Sequence, residues 1–233
     1  MIFEGRNRVR YGYSRYGWTR SNGKTWHGGL DIEGMDNATI RMPSYAGKTI
    51  AGTVVRARIV TDKTDKTWEW GWYVTVRLDA AQTPDAVNYL IFAHCKKLLV
   101  KVGQKVRTGD ALAVMGNTGN AALADPPFEH VHFECRAGLT TRGLDPTAYA
   151  GIANETGTYN EQGTRTDAGV GGVKLTVKTG SWYLRDAPGT WGVILGVVRG
   201  GTVLEANDMQ NGWYHTAGGW LSGAGVAKKE DAA

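Results

Sequence analysis

Short apolar runs follow one another along the chain and are separated by Gly, Pro, Asp or Asn. The clearest runs are rich in Val, Ile, Phe and Tyr and cover residues 53–60, 72–78, 88–95 and 130–136. This composition and spacing predict β-strands. No stretch of ten or more residues repeats with a helical period, although one turn is predicted at 121–125. The pattern therefore predicts an all-β protein, a glycine-rich sandwich or barrel.

The strand pattern is interrupted by a stretch that has almost no large aliphatic residues. Residues 154–172 are rich in Gly, Asn and Thr, a composition typical of a linker. A second β-rich segment follows this stretch. We therefore predict two domains at residues 1–153 and 173–227, a linker at 154–172 and a tail at 228–233.

Composition excludes several classes of protein. The 33 Gly among 233 residues show no three-residue period, which excludes collagen, and 9 Trp and 10 Tyr argue against disorder. No apolar run approaches the roughly 18 residues that a membrane helix needs, so we expect no membrane span. The 2 Cys are too few for a disulfide scaffold.

The positive charge lies in the N-terminal two-thirds of a chain whose formal net charge is +5. Arginines with interleaved tyrosines at 6–20 would suit a nucleic acid. We instead interpret the charge as a basic surface that meets an anionic polymer such as a cell wall, and we expect no nucleic-acid partner. The first 15 residues have no apolar segment after their arginines, so they do not resemble a secretory signal. We expect synthesis in the cytoplasm.

Four of the 5 His lie in three motifs of the first predicted domain. Residues two or four apart on a strand share a face, so His130 and His132 project together, and His27 can share a face with Asp31. A catalytic zinc site needs three protein ligands and one open position. His27, Asp31 and either histidine of the pair could supply these ligands, which leaves the other one and His94 as nearby bases. The alternative is that these are ordinary histidines on a polar sheet.

These motifs resemble, in the same order, those of the lysostaphin-type zinc metallopeptidases, which cut peptide cross-links in bacterial peptidoglycan. The similarity covers about residues 10–150. It rests on H-G-G-L-D (27–31), Y-L-I-F-A-H (89–94), the stretch that begins V-G-Q-K-V (102–110), G-N-T-G (116–119) and H-V-H-F-E (130–134).

The resemblance implies one Zn²⁺ per chain, bound by His27, Asp31 and His132. It implies that His94 and His130 are the catalytic pair that orients and deprotonates a water molecule. The family usually has Ser-Thr-Gly-Pro before its H-x-H motif, whereas this chain has Asp-Pro-Pro-Phe-Glu at 125–129. This difference concerns the shape of the cleft and the substrate preference rather than the zinc chemistry.

The second β-rich segment resembles a bacterial SH3-type domain, a module that binds peptidoglycan in wall hydrolases. The similar phrases are WYLRDAPG (182–189), VVRGGTVLE (197–205), NGWYHT (211–216) and GGWLS (218–222). We interpret His215 as structural. The aromatic residues that we expect to be shared between the core and a binding groove are Trp182, Trp191, Trp213, Trp220 and Tyr214.

We therefore predict a monomeric zinc endopeptidase that acts on peptidoglycan. We expect it to be a phage or prophage endolysin that reaches the wall after a holin opens the membrane. One alternative is a catalytically inactive scaffold on the same fold that only binds the wall or partner proteins. Another is a sugar phosphotransfer carrier, which Asp31 disfavours because its carboxylate would repel a phosphoryl group.

Strand alternation gives the two cysteines a structural role. Cys95 follows His94 directly, and Cys135 lies an odd number of residues after His132. Both thiols should therefore point to the face opposite the histidines. We predict two buried, free cysteines that do not bind metal.

Overall fold

A computed structural model describes residues 1–21, 23–124, 127–166, 173–210 and 212–228. The chain divides into two compact units, Met1–Arg165 and Thr166–Ala233. Almost all regular structure is β, which confirms the predicted all-β class. Within the described ranges, no helix is long and apolar enough to span a membrane.

The strands of the first unit are between two and ten residues long. In chain order they are β1 (Asn7–Val9), β2 (Gly17–Arg20), β3 (Thr25–His27), β4 (Leu30–Gly34), β5 (Thr39–Arg41), β6 (Ala51–Ile59), β7 (Trp72–Leu78), β8 (Tyr89–Leu98), β9 (Lys105–Arg107), β10 (Ala111–Met115), β11 (Val131–Arg136), β12 (Gly143–Leu144) and β13 (Gly157–Tyr159). The predicted runs 53–60, 72–78, 88–95 and 130–136 correspond to β6, β7, β8 and β11.

The helical segments of this unit are single turns. One α-helix, α1, covers Thr147–Ala150, and 3₁₀ turns cover Gly12–Ser14, Trp68–Trp70 and Gly119–Leu123. The last of these lies where the sequence predicts a turn at 121–125, and Asp125 is outside the described residues.

The main sheet of the first unit is antiparallel, in the order β13-β1-β4-β11-β8-β7-β6-β9. Strand β10 pairs with both β8 and β5, β12 pairs with β11, and β2 and β3 form a separate hairpin. This order places β11 between β4 and β8, so the strands that carry the predicted ligands are direct neighbours.

The core of the first unit lies on one face of these three strands. Phe133 on β11 pairs with Leu30 on one side and Phe92 on the other, and the two phenyl rings stack with centroids 5.1 Å apart. Cys95 and Cys135 are buried in the same core, free of any disulfide. Each large apolar side chain buried there stabilises the fold by roughly 1.5–3 kcal/mol. The other face is left for the polar residues of the site.

Part of the predicted linker belongs to the first unit. Gly157–Tyr159 forms β13, which pairs with β1 through Asn7 and Tyr159. The Tyr159 ring is buried, and its hydroxyl donates to the Glu155 carbonyl at 2.8 Å. This single aromatic residue anchors a stretch whose composition otherwise indicates a linker. Residues 167–172 of the predicted linker lie outside the described residues.

The second unit has its own sheet and core. Its strand order is β16-β15-β19-β18-β17-β14-β20, built from β14 (Val173–Val177), β15 (Ser181–Arg185), β16 (Ile194–Arg199), β17 (Val203–Gln210), β18 (Trp213–Thr216), β19 (Gly219–Ser222) and β20 (Val226–Lys228), with a 3₁₀ turn at Gly223–Gly225. Leu175, Val177 and Leu221 are buried at its centre.

The aromatic residues of the second unit differ in their exposure. Trp220 and Tyr214 are buried, Trp182 packs against the core, and Trp191 is exposed. His215 packs against the Trp220 ring, with centroids 4.7 Å apart. Asn211 of the phrase at 211–216, and the tail from 229 onward, are outside the described residues. The resemblance to an SH3-type domain stays a prediction.

Candidate metal centre

Strand pairing brings the first two predicted ligands together. His132 on β11 lies directly opposite Asp31 on β4, with Ala93 of β8 on its other side. Opposed residues on neighbouring strands share a face, and the Nδ1 atom of His132 is 2.8 Å from Oδ1 of Asp31. Both side chains are buried.

The third predicted ligand lies at the end of the β2–β3 hairpin. Strand β3 ends at His27, whose Nε2 atom is 2.9 Å from Nδ1 of His132 and 3.2 Å from Oδ1 of Asp31. A two-glycine connection then leads into β4. A Cβ atom at Gly29 would collide with the carbonyl oxygen of Phe133, so only glycine lets the chain pass this closely to β11. The predicted set of His27, Asp31 and His132 therefore forms one buried cluster.

Surrounding acceptors fix which ring nitrogen of each histidine faces the cluster. The Nδ1–H group of His27 donates to the carbonyl of Arg15 at 2.8 Å. The Nε2–H group of His132 donates to Oε1 of Glu134 at 2.9 Å. The remaining nitrogens, Nε2 of His27 and Nδ1 of His132, are therefore the ones that face Asp31.

The donor set fits a divalent metal ion. Two imidazole nitrogens and a carboxylate oxygen face one another. Without a metal, a proton on His132 bridges to Asp31, and a metal ion would replace that proton. Nitrogen and carboxylate ligands are those that Zn²⁺ takes in catalytic sites. Three ligands from this chain would leave one position open. His27, Asp31 and His132 therefore could hold zinc.

Electrostatics favours an ionised Asp31. Burial opposes its ionisation, but the surrounding imidazoles, above all His27 and His130, hold the pKa of this carboxyl well below its usual value. Burial also lowers the pKa of His132, but its hydrogen bonds to Asp31 and Glu134 outweigh burial and raise that pKa to about 9. The second Asp31 oxygen accepts from Nη2 of Arg20 at 3.0 Å.

The two predicted catalytic histidines adjoin this cluster. The Nε2 atom of His130 is 3.8 Å from Oδ1 of Asp31, and the ring centroids of His94 and His130 are 4.9 Å apart. Burial lowers the pKa of both imidazoles. His94 donates its Nδ1–H group to the carbonyl of Thr118 at 2.9 Å, which leaves its Nε2 atom as an acceptor.

A β-bulge turns His94 toward the site. The pairing of β7 with β8 shifts between Phe92 and Cys95, and His94 has a left-handed φ of 64°. Regular alternation would place His94 on the core face with Phe92. The extra residue re-aims its side chain and returns Cys95 to the core.

The G-N-T-G segment holds this part of the site through Thr118. Its Oγ1 atom accepts from the Trp72 backbone N–H at 2.9 Å and donates to the Cys95 carbonyl at 2.8 Å. The Thr118 carbonyl also accepts from His94. Thr118 therefore connects the bulge in β8 to β7 and to the G-N-T-G turn. This explains the presence of a threonine at this turn.

The segment in which this chain differs from the family pattern borders His130. Phe128 stacks on the His130 ring with centroids 4.4 Å apart, and the guanidinium carbon of Arg10 is 5.7 Å from the Phe128 centroid. Asp125 and Pro126 are outside the described residues. In the described part of the segment, the Phe128 ring therefore lies directly beside the predicted catalytic residue His130.

Sequence reasoning did not single out several residues of this site. Glu134 lies two positions after His132, so the same alternation that pairs His130 with His132 places it on the site face. Arg20 and the carbonyl groups of Arg15 and Thr118 have no such signal, because distant parts of the chain bring them to the site.

About half of the chain matches a known protein family. The model of peptidase family M23 matches residues 25–146. Similar solved structures include the catalytic domain of lysostaphin from Staphylococcus simulans, at 22% identity over 59% of this chain and 86% of that one, with a TM-score of 0.40. The prophage-encoded M23 protein EnpA from Enterococcus faecalis is 20% identical over 59% and 89%, with a TM-score of 0.42.

The complete lysostaphin of Staphylococcus simulans is also similar, at 20% identity over 91% of this chain and 85% of that one, with a TM-score of 0.41. The family match alone extends over more than half of the 233 residues and contains the five clustered side chains, His27, Asp31, His94, His130 and His132. The chain therefore belongs to peptidase family M23.

Proposed function

We propose that this protein is a zinc-dependent endopeptidase that hydrolyses peptide bonds of bacterial peptidoglycan. The observation that carries the proposal is the convergence of two imidazole nitrogens and a carboxylate oxygen in one buried cluster, in a chain of peptidase family M23. His27, Asp31 and His132 would hold one Zn²⁺. Zinc in such a site supplies a Lewis acid that polarises a carbonyl group and lowers the pKa of water.

His94 and His130 would transfer the proton of the attacking water during hydrolysis. Both imidazoles are neutral near pH 7 because burial lowers their pKa. A neutral imidazole with a free nitrogen accepts the proton of the attacking water and returns it to the leaving amine. The Thr118 carbonyl and the Phe128 ring hold the two imidazoles in place for this task.

We propose further that the second unit binds the cell wall and that the protein acts there. The unit has its own sheet and core, and its sequence phrases resemble wall-binding modules. Binding to the polymer would raise the local concentration of the catalytic unit at its substrate.

Metal removal and return tests the catalytic proposal. Purified protein is analysed for metal, exhaustively chelated, and assayed on isolated cell walls for newly released amino groups. We expect about one zinc per chain, loss of hydrolysis on chelation, and recovery when one equivalent of zinc is added. Full hydrolysis by metal-free protein would contradict the proposal. Zinc binding without hydrolysis of walls of several chemotypes, or of soluble muropeptides, would favour the inactive scaffold instead.

A further inference from the structure

A guanidinium group and two indole rings form an exposed surface beside the metal centre. Trp18 and Trp26 are paired across the β2–β3 hairpin, with ring centroids 5.6 Å apart. The guanidinium carbon of Arg142 lies 3.7 Å from the Trp26 centroid and 5.3 Å from that of Trp18. Trp18 is 59% exposed, and Arg142 is also exposed. We call these three residues the Trp–Arg surface.

The chain itself and two contacts connect the Trp–Arg surface to the site. Trp26 directly precedes the ligand His27 on β3, so its ring lies on the other face of the hairpin. Gly143, which follows Arg142, packs against the Gly28 carbonyl so closely that a side chain at 143 would collide with it. The Tyr16 hydroxyl donates to the Gly143 carbonyl at 3.2 Å. The loop that carries Arg142 is therefore fixed to the glycine turn between His27 and Asp31.

Charge pairing distinguishes Arg142 from three other arginines near the site. Arg10 binds Glu33, Arg20 binds Asp31, and Arg136 binds Glu134. In the part of the chain that the structure describes, no ion pair or hydrogen bond is formed by the guanidinium of Arg142. Its positive charge is thus available to a ligand.

The contact with the Trp26 ring orients this guanidinium for a planar ligand group that offers two acceptor oxygens. A guanidinium that stacks on an indole ring directs its N–H donors outward in its own plane. Its geometry then matches a carboxylate, which accepts two parallel charge-assisted hydrogen bonds. Because the ring contact already restrains the side chain, less conformational entropy is lost on binding.

We propose that the Trp–Arg surface binds a free carboxylate of the substrate peptide and makes the enzyme prefer peptides in which that group is not amidated. This inference rests on the proposed function, because it takes the ligand to be a peptide of the cell wall. Arg142 provides the charge, and the exposed indole of Trp18 covers the apolar part of the peptide next to the carboxylate.

Peptide binding by the full-length protein tests the inference without relying on catalysis. The probes are one synthetic wall stem peptide with its carboxylates free and the same peptide with them amidated, titrated calorimetrically. We expect the free peptide to bind about tenfold more tightly, a difference of about 1.4 kcal/mol. Arg142→Gln should abolish this preference, and Arg142→Lys should keep part of it because it retains the charge but not the planar fork.

Arg107→Gln is the matched control, since Arg107 is exposed on β9, at the end of the main sheet. It should preserve the preference. Equal binding of both peptides by the unmodified protein, binding of neither, or an unchanged preference in Arg142→Gln would overturn the inference. Failure of zinc-loaded protein to cleave either peptide in cross-linked form, with the binding preference intact, would instead contradict the proposed function alone.

Discussion

Individual histidines in this site differ in the nitrogen that they turn inward. His27 uses Nε2 because its Nδ1–H group donates to the Arg15 carbonyl, and His132 uses Nδ1 because its Nε2–H group donates to Glu134. His130 lies next to them but is 3.8 Å from the Asp31 oxygen. The roles that we propose for these residues follow from these contacts and can be separated by mutation.

The metal content of alanine variants should show which histidine of the His-Val-His motif is the zinc ligand and which is the base. We expect His132→Ala to lose zinc and hydrolysis together, because it removes one of three ligands. His130→Ala and His94→Ala should keep zinc but lose roughly 10²–10⁴-fold in rate, as for general acid–base groups. Metal analysis and wall hydrolysis on the same samples check this. Zinc loss in His130→Ala with zinc retained in His132→Ala would reverse the assignment.

Glu134 should contribute to zinc affinity without touching the metal. Hydrogen bonds to His132 and Arg136 outweigh burial and lower its pKa to about 2, so it is a carboxylate at neutral pH. We expect Glu134→Ala to weaken zinc binding about 10–100-fold, as for other second partners of metal-bound histidines. Glu134→Gln should weaken it less, since its amide oxygen can still accept from His132.

Competition with a chromogenic chelator measures this affinity. The control is Glu4→Gln, because Glu4 is an exposed carboxylate that is paired with Arg41 rather than with a histidine of the site. Unchanged zinc affinity in Glu134→Ala, with normal folding, would show that the contact does not orient His132.

Two pairs, His27 with Asp31 and His130 with His132, could be predicted to share a face because each has an even residue spacing. The family resemblance, rather than spacing, implied a role for His94 and distinguished His132 from His130. Arg20 could not be predicted in the same way. Its contact with Asp31 depends on the path of the β2–β3 hairpin, which no local spacing encodes. The same holds for the carbonyl of Thr118, which lies 24 residues from His94.

At the scale of elements, the decisive feature is the bulge in β8. The sequence predicts the strand, but its apolar residues continue on both faces, so no alternation marks the extra residue. His94 adopts a left-handed conformation that costs on the order of 1–3 kcal/mol and is held by its neighbours. The prediction that Cys95 points away from the site agrees with its place in the core. The bulge is the reason for this agreement, because regular alternation from Phe92 would have placed His94, rather than Cys95, in the core.

Both cysteines should be dispensable for metal binding. Burial raises the pKa of Cys95 to about 12 and that of Cys135 well above its usual value, so both remain thiols at neutral pH. We expect Cys95→Ala and Cys135→Ala to retain zinc and most activity, with a loss of about 1 kcal/mol in unfolding free energy. A thiol reagent should label the folded protein slowly and the unfolded protein at once. Zinc loss in either variant would contradict this arrangement of β8 and β11.

At the scale of the whole molecule, the two units suggest separable tasks. Composition predicts that the first domain ends at residue 153, whereas the first unit extends to Arg165. The difference arises because β13 pairs with β1 and buries Tyr159, and one aromatic residue among many polar ones is a weak signal.

A chain that ends after Arg165 should fold, bind zinc and cleave soluble muropeptides. It should lyse whole cells more slowly than the full chain, because it lacks the unit that we propose to bind the wall. A chain that ends after Ala153 should unfold at a lower denaturant concentration, since β1 loses its partner strand. Denaturation curves and turbidity assays measure both effects. Equal lysis by the full chain and the chain ending at Arg165 would argue against wall binding by the second unit.

The close passage of Gly29 past the backbone of Phe133 bears on how such sites are found in genomes. A search pattern that lists only His27 and Asp31 at their spacing would accept chains with a side chain at the position of Gly29. Such chains could not bring both side chains to one neighbouring strand, since the intervening residue would strike it. The glycine thus belongs in the definition of the metal motif, as an amino acid selected for the space that it leaves empty.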